Sequence, residues 1–216
     1  MSVPESSGPG LFLVVEGPDG AGKTTQIDLL AEFLTEAGSP PVITREPGGT
    51  PIGQAIRDIL LDPTHTSMAP EAEALLYAAD RAQHVAQVIR PALAAGRVVV
   101  SDRYLDSSLA YQGLARGLGV ARILEISTWA TGGLLPDLVV LVDTATELAR
   151  TRSAGTDRLE QEPETFHRRV AEAYWALART YADRFAIVDG TLPAGEVAAE
   201  VRRRVAPLLA PAAVAR

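Results

Sequence analysis

The chain of 216 residues contains no cysteine. That excludes a disulfide framework, a thiolate metal site and a cysteine nucleophile, and it fits a reducing compartment. No apolar run approaches the ~20 residues that a membrane-spanning helix needs. Residues 1–10, MSVPESSGPG, have neither the basic start nor the apolar centre of a signal peptide. The expected location is therefore the cytoplasm, with no membrane partner. Positive charge is also scarce: 20 Lys and Arg face 27 Asp and Glu, a net charge of −7. So acidic a chain is a poor fit to a nucleic-acid backbone. A small anionic substrate stays open, because a few arginines can set the sign of the field inside one cleft. The three histidines, His65, His84 and His167, lack metal-ligand spacing and read as structural or surface residues. There is no internal repeat. Low complexity is confined to the ends, so the expected organisation is a disordered tail over 1–10, a single domain over 11–208 and a mobile tail over 209–216.

Between those ends, strand-like and helix-like segments alternate. LFLVVE (11–16), PVIT (41–44), RVVVS (97–101), LVVLVD (138–143) and FAIVD (185–189) are near-continuous apolar runs. That is the pattern of parallel strands buried on both faces. Helical spacing predicts helices over 24–37, 52–61, 70–95, a broken pair over 105–131, and helices over 164–183 and 193–208. Strands joined by helical crossovers imply an α/β domain with a parallel sheet. In such sheets ligands collect at the carboxyl ends of the strands. Asp19, Arg45, Asp102, Arg103 and Asp143 all fall there.

The sharpest motif is Gly17-Pro18-Asp19-Gly20-Ala21-Gly22-Lys23-Thr24, followed by Thr25. It satisfies G-x-x-x-x-G-K-[ST] in full, with a strand before it and a helix after. The glycines let backbone N–H groups converge on the phosphates of a nucleoside triphosphate, and the helix N-terminus adds positive potential. Lys23 is expected to reach the β- and γ-phosphates, and the Thr24 hydroxyl to help hold Mg²⁺. Asp102 ends a buried strand, where a carboxylate is costly without a partner. Water bound to Mg²⁺ is one such partner; a helix N-cap or a salt bridge to Arg103 is the alternative. The motif says nothing about the acceptor. Arg45, in TREPGGTP, and Arg103 end neighbouring strands, and two arginines facing the loop suggest an acceptor that is itself a phosphate. Tyr77 and Arg81 lie one helical turn apart, where a ring and a guanidinium could stack on a base and bond its edge. The alternative is a packed tyrosine beside a solvated arginine.

These residues together resemble the thymidylate kinases, P-loop nucleoside monophosphate kinases that phosphorylate dTMP with ATP. The resemblance rests on EGPDGAGKTTQ, TREPGGT, LLYAADRAQH, SDRYLDSSLAYQG, LPDLVVLVD and the DRLEQE segment, in the family's order over about residues 11–190. It implies a three-layer P-loop NTPase fold: a five-stranded parallel sheet flanked by helices, with a small lid at about 150–162. It implies that Arg45 and Arg103 bind the dTMP phosphate and that Asp19 accepts from the sugar 3′-hydroxyl. Tyr77 would stack on thymine, in place of the family's usual phenylalanine, and Arg81 would bond the base edge. Ser107, Ser108 and Gln112 would sit near the base, with Tyr111 under the sugar at C2′. It also implies a homodimer and a cis peptide before Pro47.

One absence sharpens the reading. Some relatives carry an arginine inside the phosphate loop, but Pro18, Asp19, Gly20 and Ala21 include no cation. The missing charge on the transferring phosphoryl group is therefore expected from the lid, Arg158 first and Arg152 second, with Arg150 belonging mainly to the preceding helix. VDGT (188–191) is expected to bring backbone to the adenine, and Glu160, Glu162 and Glu164 read as a solvated helix start. The rival readings are another small-molecule kinase on the same fold and a nucleotide-binding module without chemistry. The Tyr77, Arg81 and Gln112 set and TREPGG argue against the first; the second would need neither acceptor arginines nor an arginine-bearing lid.

Overall fold

A computed structural model describes residues 10–144, 149 and 155–209. The expected terminal tails lie almost wholly outside these residues, and so do Arg150 and Arg152 of the lid.

Five strands form one parallel sheet: β1 Leu11–Glu16, β2 Val42–Arg45, β3 Val98–Asp102, β4 Leu138–Asp143 and β5 Phe185–Asp189. The order is β2-β3-β1-β4-β5. The three central strands, β3, β1 and β4, alternate their side chains between two apolar layers, while the edge strand β2 leaves Ile43 and Arg45 exposed instead of being buried on both faces. Phe12, Val14, Val99, Val139 and Leu141 face one layer. Leu13, Val15, Val100, Val140 and Val142 face the other. The helices α1 (Lys23–Glu36) and α8 (Ala194–Val205) cover the second layer, through Ile27, Leu30, Leu34, Val197, Val201 and Val205. The first layer is closed by α3 (Pro70–His84), α6 (Val120–Thr131) and α7 (Glu164–Thr180). Outside it, α2 (Pro51–Leu61) packs on α3.

Register places the chemistry. Val15 pairs with Asp102 and Asp102 with Arg45, so three strands end level at one edge of the sheet. The phosphate loop and Arg103 leave from that edge.

Two stretches expected to be helical, one continuous over 70–95 and one in the broken pair over 105–131, carry π turns. The 70–95 helix is regular only to His84. It widens over Val85–Ile89 and resumes as α4 (Arg90–Ala94). Pro91 has no N–H to give and its ring crowds the carbonyl four residues back, so the regular ladder cannot run through it. The short helix α5 (Leu105–Ser108) likewise passes into a π turn over Leu109–Ala115. This second π turn carries Tyr111 and Gln112.

Candidate active site

The phosphate loop leaves β1 and ends at Gly22, the N-cap of α1, at φ +94°. Gly20 also has positive φ, and a Cβ there would collide with the carbonyl of Ala149. Only glycine meets both demands, backbone handedness and close approach. Lys23 folds over the loop, its Nζ donating to the carbonyls of Gly17 (3.1 Å) and Pro18 (2.9 Å). Burial and the nearby Arg103 push its ammonium pKa down. Phosphate oxygens would relieve both effects. Lys23, Thr24, Thr25, Arg45, Asp102 and Arg103 line one open cleft.

Asp102 supplies a direct test of the metal expectation. Its Oδ1 is buried and has no hydrogen-bond partner among the described residues. An orphaned carboxylate oxygen in the same cleft as the Thr24 hydroxyl fits a hard cation such as Mg²⁺ or its bound water. Among the described residues no group of three His, Cys, Asp or Glu could hold a metal. The protein therefore offers part of a coordination shell, the arrangement suited to a metal that arrives with phosphates.

Beside the cleft is a second, partly enclosed space. Tyr77, Arg81, Ser107, Ser108, Tyr111 and Gln112 line it. Asp19 and Arg103 line both spaces and join them. Arg103 Nη2 donates to Asp19 Oδ1 at 2.5 Å, and the Tyr111 hydroxyl donates to Asp19 Oδ2 at 3.1 Å. Burial works against the Asp19 charge, but Arg103 and Lys23 hold its carboxyl well below the usual range. Arg103 is the one described non-glycine residue at positive φ, +71°, with its N–H on the carbonyl of Val15 at 3.0 Å. Backbone strain of this kind persists where a side chain must be aimed.

The structure brings most of the sequence candidates to this pair of spaces, with some reassignments. Ser107 is a strut: its Oγ donates to Glu16 (2.7 Å) and accepts from Arg103 (3.0 Å). Ser108 instead accepts from Arg81 Nη2 at 2.9 Å. Arg81 is almost wholly buried. Its Nε donates to Glu46 (2.8 Å) and its Nη1 to Ser127 (3.1 Å), so most of its donors are already placed. Arg45 is exposed at the cleft mouth and donates to Gln54 (3.1 Å). The Glu46–Pro47 bond is cis. Gly190, of the VDGT segment, borders a groove beside Gly22 and Gln26, at the far side of the phosphate loop.

The structure does not bring Arg158 to the phosphate loop. Its Nε donates to the carbonyl of Leu60 (2.9 Å), and its Nη2 pairs with Glu73 (2.7 Å). The physical reason is Glu73, a fully buried carboxylate on α3 that gathers the cations within reach. Glu162 is likewise no solvated bystander; it pairs with Arg116 at 2.6 Å.

Several residues were missed from sequence. Glu16 is buried at the end of β1 and accepts from the N–H of Tyr104 (2.9 Å) and the hydroxyl of Tyr174 (2.8 Å). Burial raises its pKa. Glu46 is shared by Arg81 and His84, whose Nδ1 lies 2.9 Å away. Arg57, on α2, borders both spaces and donates to the carbonyl of Pro47 at 2.9 Å. A carboxylate ending an apolar strand was the available signal for Glu16. Nothing local marks the others.

A triphosphate loop, an orphaned carboxylate and an arginine-gated neighbouring cavity define a P-loop phosphotransferase with a small anionic acceptor. Comparison narrows the class. The thymidylate kinase family model matches residues 15–201. A thymidylate kinase of Leifsonia xyli subsp. xyli is 54% identical over 209 residues, covering 95% of this chain and 98% of the relative. One of Lactobacillus acidophilus is 46% identical, covering 89% and 92%. The crystal structure of thymidylate kinase from Ehrlichia chaffeensis matches with a TM-score of 0.76 at 29% identity, over 92% of this chain and 100% of that one. The chain belongs to the thymidylate kinase family.

Proposed function

We propose that the protein transfers the γ-phosphoryl group of ATP to dTMP, giving ADP and dTDP. An oxygen of the dTMP phosphate attacks the γ-phosphorus, and the bond from that phosphorus to the β,γ-bridging oxygen breaks. No general base is needed, because the acceptor phosphate is already ionised. The protein's work is alignment and charge neutralisation. The observation that carries this reading is the Asp19–Arg103 pair shared by the two spaces. A guanidinium that borders both spaces supports a reading in which donor and acceptor phosphates meet beside it.

In this reading Gly17 to Thr25 hold the donor phosphates, and Thr24 and Asp102 hold Mg²⁺, which supplies further neutralisation when bound. Arg45 and Arg103 take the acceptor phosphate, and Asp19 the sugar 3′-hydroxyl. Tyr77, Arg81, Ser108 and Gln112 surround the base. We assign the remaining positive charge to the lid arginines Arg158 and Arg152; Arg158 reaches it only by leaving Glu73 and Leu60. The protein acts in the cytoplasm, where ATP is at hand, and as a homodimer. The described part of the chain has no helix long and apolar enough to cross a membrane.

The test is ADP release with ATP, Mg²⁺ and a panel of monophosphates. dTMP should turn over fastest, and rates with dGMP or AMP equal to that with dTMP would overturn the reading.

A further inference from the structure

Gln112 lines the acceptor cavity and is 1% exposed. The two ends of its amide are in different situations. Nε2 donates to Glu73 Oε1 at 2.8 Å. Oε1 is buried and has no partner among the described residues. Which end is which follows from Glu73. Its Oε2 lies 3.1 Å from Arg116 Nη2 and 2.7 Å from Arg158 Nη2. Burial opposes its charge, but the bonds from Arg116 and Gln112 outweigh that and lower its pKa. An ionised carboxylate only accepts. The amide atom beside it must therefore be the nitrogen, which leaves the oxygen for the cavity.

A buried acceptor without a donor is costly, and the ligand must supply one. On its pairing edge thymine has two acceptors, O2 and O4, and a single donor, N3–H. Only N3–H satisfies Gln112 Oε1. Cytosine has a lone pair at N3, which would face another lone pair.

We propose that Glu73 is a positioning residue for base choice: by fixing the direction of the Gln112 amide it makes the cavity accept a pyrimidine bearing N3–H and reject one bearing N3 as acceptor. The inference rests on reading this cavity as the base site, which wild-type preference for dTMP over dGMP tests separately. Glu73 touches no substrate; it acts through Gln112. It is also bonded to Arg158, so the readout must be insensitive to the lid. A ratio between two acceptors that differ only in the base meets that need.

The probe is 5-methyl-dCMP, which keeps the thymine methyl group and the deoxyribose phosphate but exchanges N3–H and O4 for N3 and an amino group. Wild type should favour dTMP strongly in kcat/KM. Glu73→Gln puts an amide beside Gln112 that can present either of its ends, so the Gln112 amide is no longer fixed. The ratio of dTMP to 5-methyl-dCMP should narrow by about tenfold or more, mainly in KM. Arg81, which lines the same cavity and in the proposed reading bonds the base edge, keeps it above one. A second variant exchanges the groups. In Glu73→Gln/Gln112→Glu, the carboxylate introduced at position 112 accepts on both sides, from the amide now at position 73 and from N3–H. The exchange should restore the wild-type ratio, and it stands alone as a test if the single variant does not fold. Three results would overturn the proposal. They are a wild type that does not discriminate between the two acceptors, a folded Glu73→Gln protein with both activities reduced equally, and a folded exchange variant without the ratio.

Discussion

Asp80 sits on α3 with no exposed surface, accepting from the N–H of Gly48 at 3.0 Å through Oδ1. Its Oδ2 has no partner among the described residues. Burial first, and the neighbouring Glu46 second, raise its pKa from 3.8 to about 6. The folded state therefore binds this proton more tightly than the unfolded chain. The contribution to stability is full below about pH 4 and is lost as pH rises through about 6. The whole effect is at most ~3 kcal/mol. Asp80→Asn keeps the shape and an acceptor for Gly48 but removes the charge. It should raise Tm at pH 8 and leave it near wild type at pH 4.5, and a gain equal at both pH values would exclude this cause. Tyr111 poses a separate question at the same scale. Its hydroxyl on Asp19 fixes the ring at the floor of the acceptor cavity, and in the proposed reading it fills the space of a ribose 2′-hydroxyl. Tyr111→Ala should relax discrimination against the ribonucleotide more than it harms dTMP use. Steady-state kinetics with both acceptors checks this, and unchanged discrimination removes Tyr111 from the role.

Among the elements, the lid segment carries Arg158, whose observed anchoring and proposed catalytic duty can be separated. Arg158 bonds Leu60 and Glu73, and its backbone N–H reaches the carbonyl of Leu61 at 3.0 Å, so the base of the lid is fastened to the end of α2. Arg158→Ala removes two side-chain contacts, and the substrate-free protein should lose about 1–2 kcal/mol of stability. If Arg158 also leaves Glu73 to meet the transferring phosphoryl group, single-turnover transfer at saturating substrates should fall at least ~10²-fold. Arg158→Lys should recover little of it, since one ammonium cannot reproduce a two-pronged contact. Lost stability with transfer within a few-fold of wild type would leave Arg158 an anchor only. The lid also shows where sequence ceases to inform. The central strands were legible because burial on both faces leaves mostly apolar residues, and the phosphate loop because its backbone demands glycine. Glu16, Glu46 and Glu73 were not, because a carboxylate reads as surface until its cations are known. Those cations and donors, such as Arg81 for Glu46 or Tyr174 for Glu16, come from remote elements. The π turn that carries Tyr111 and Gln112 was hidden for a similar reason: packing on α7 and α6, not local spacing, surrounds it.

On the scale of the whole molecule, the apolar surface is uneven. α2 packs on α3, and α3 on α6. From this layer Ile52 (56% exposed), Ile59 (43%), Leu75 (57%) and Trp129 (84%) reach solvent. Ile52 and Ile59 are seven residues apart, which puts them on one stripe of α2. Large apolar side chains gathered on one layer mark a protein–protein contact more often than chance exposure does. The partner proposed here is a second copy of the chain, related by a twofold axis, so each residue is buried twice by one contact. The same layer carries Tyr77, Arg81 and Glu73 on its inner side. Pairing would thus stiffen the wall of the acceptor cavity without adding a residue to it. Two substitutions separate the effects. Leu75→Glu places a charge in the proposed contact once from each copy, and should shift the protein to monomer in sedimentation at micromolar concentration. Because Leu75 is exposed in the single chain, the monomer itself should stay folded. Its KM for dTMP should rise by more than its KM for ATP, since α3 lines the acceptor cavity and not the phosphate loop. Asp183→Ala, in the turn before β5 and away from this layer, serves as the control and should leave the oligomeric state unchanged. A wild-type protein that sediments as a monomer over the same range would end the dimer proposal, while leaving the phosphoryl-transfer reading to its own test.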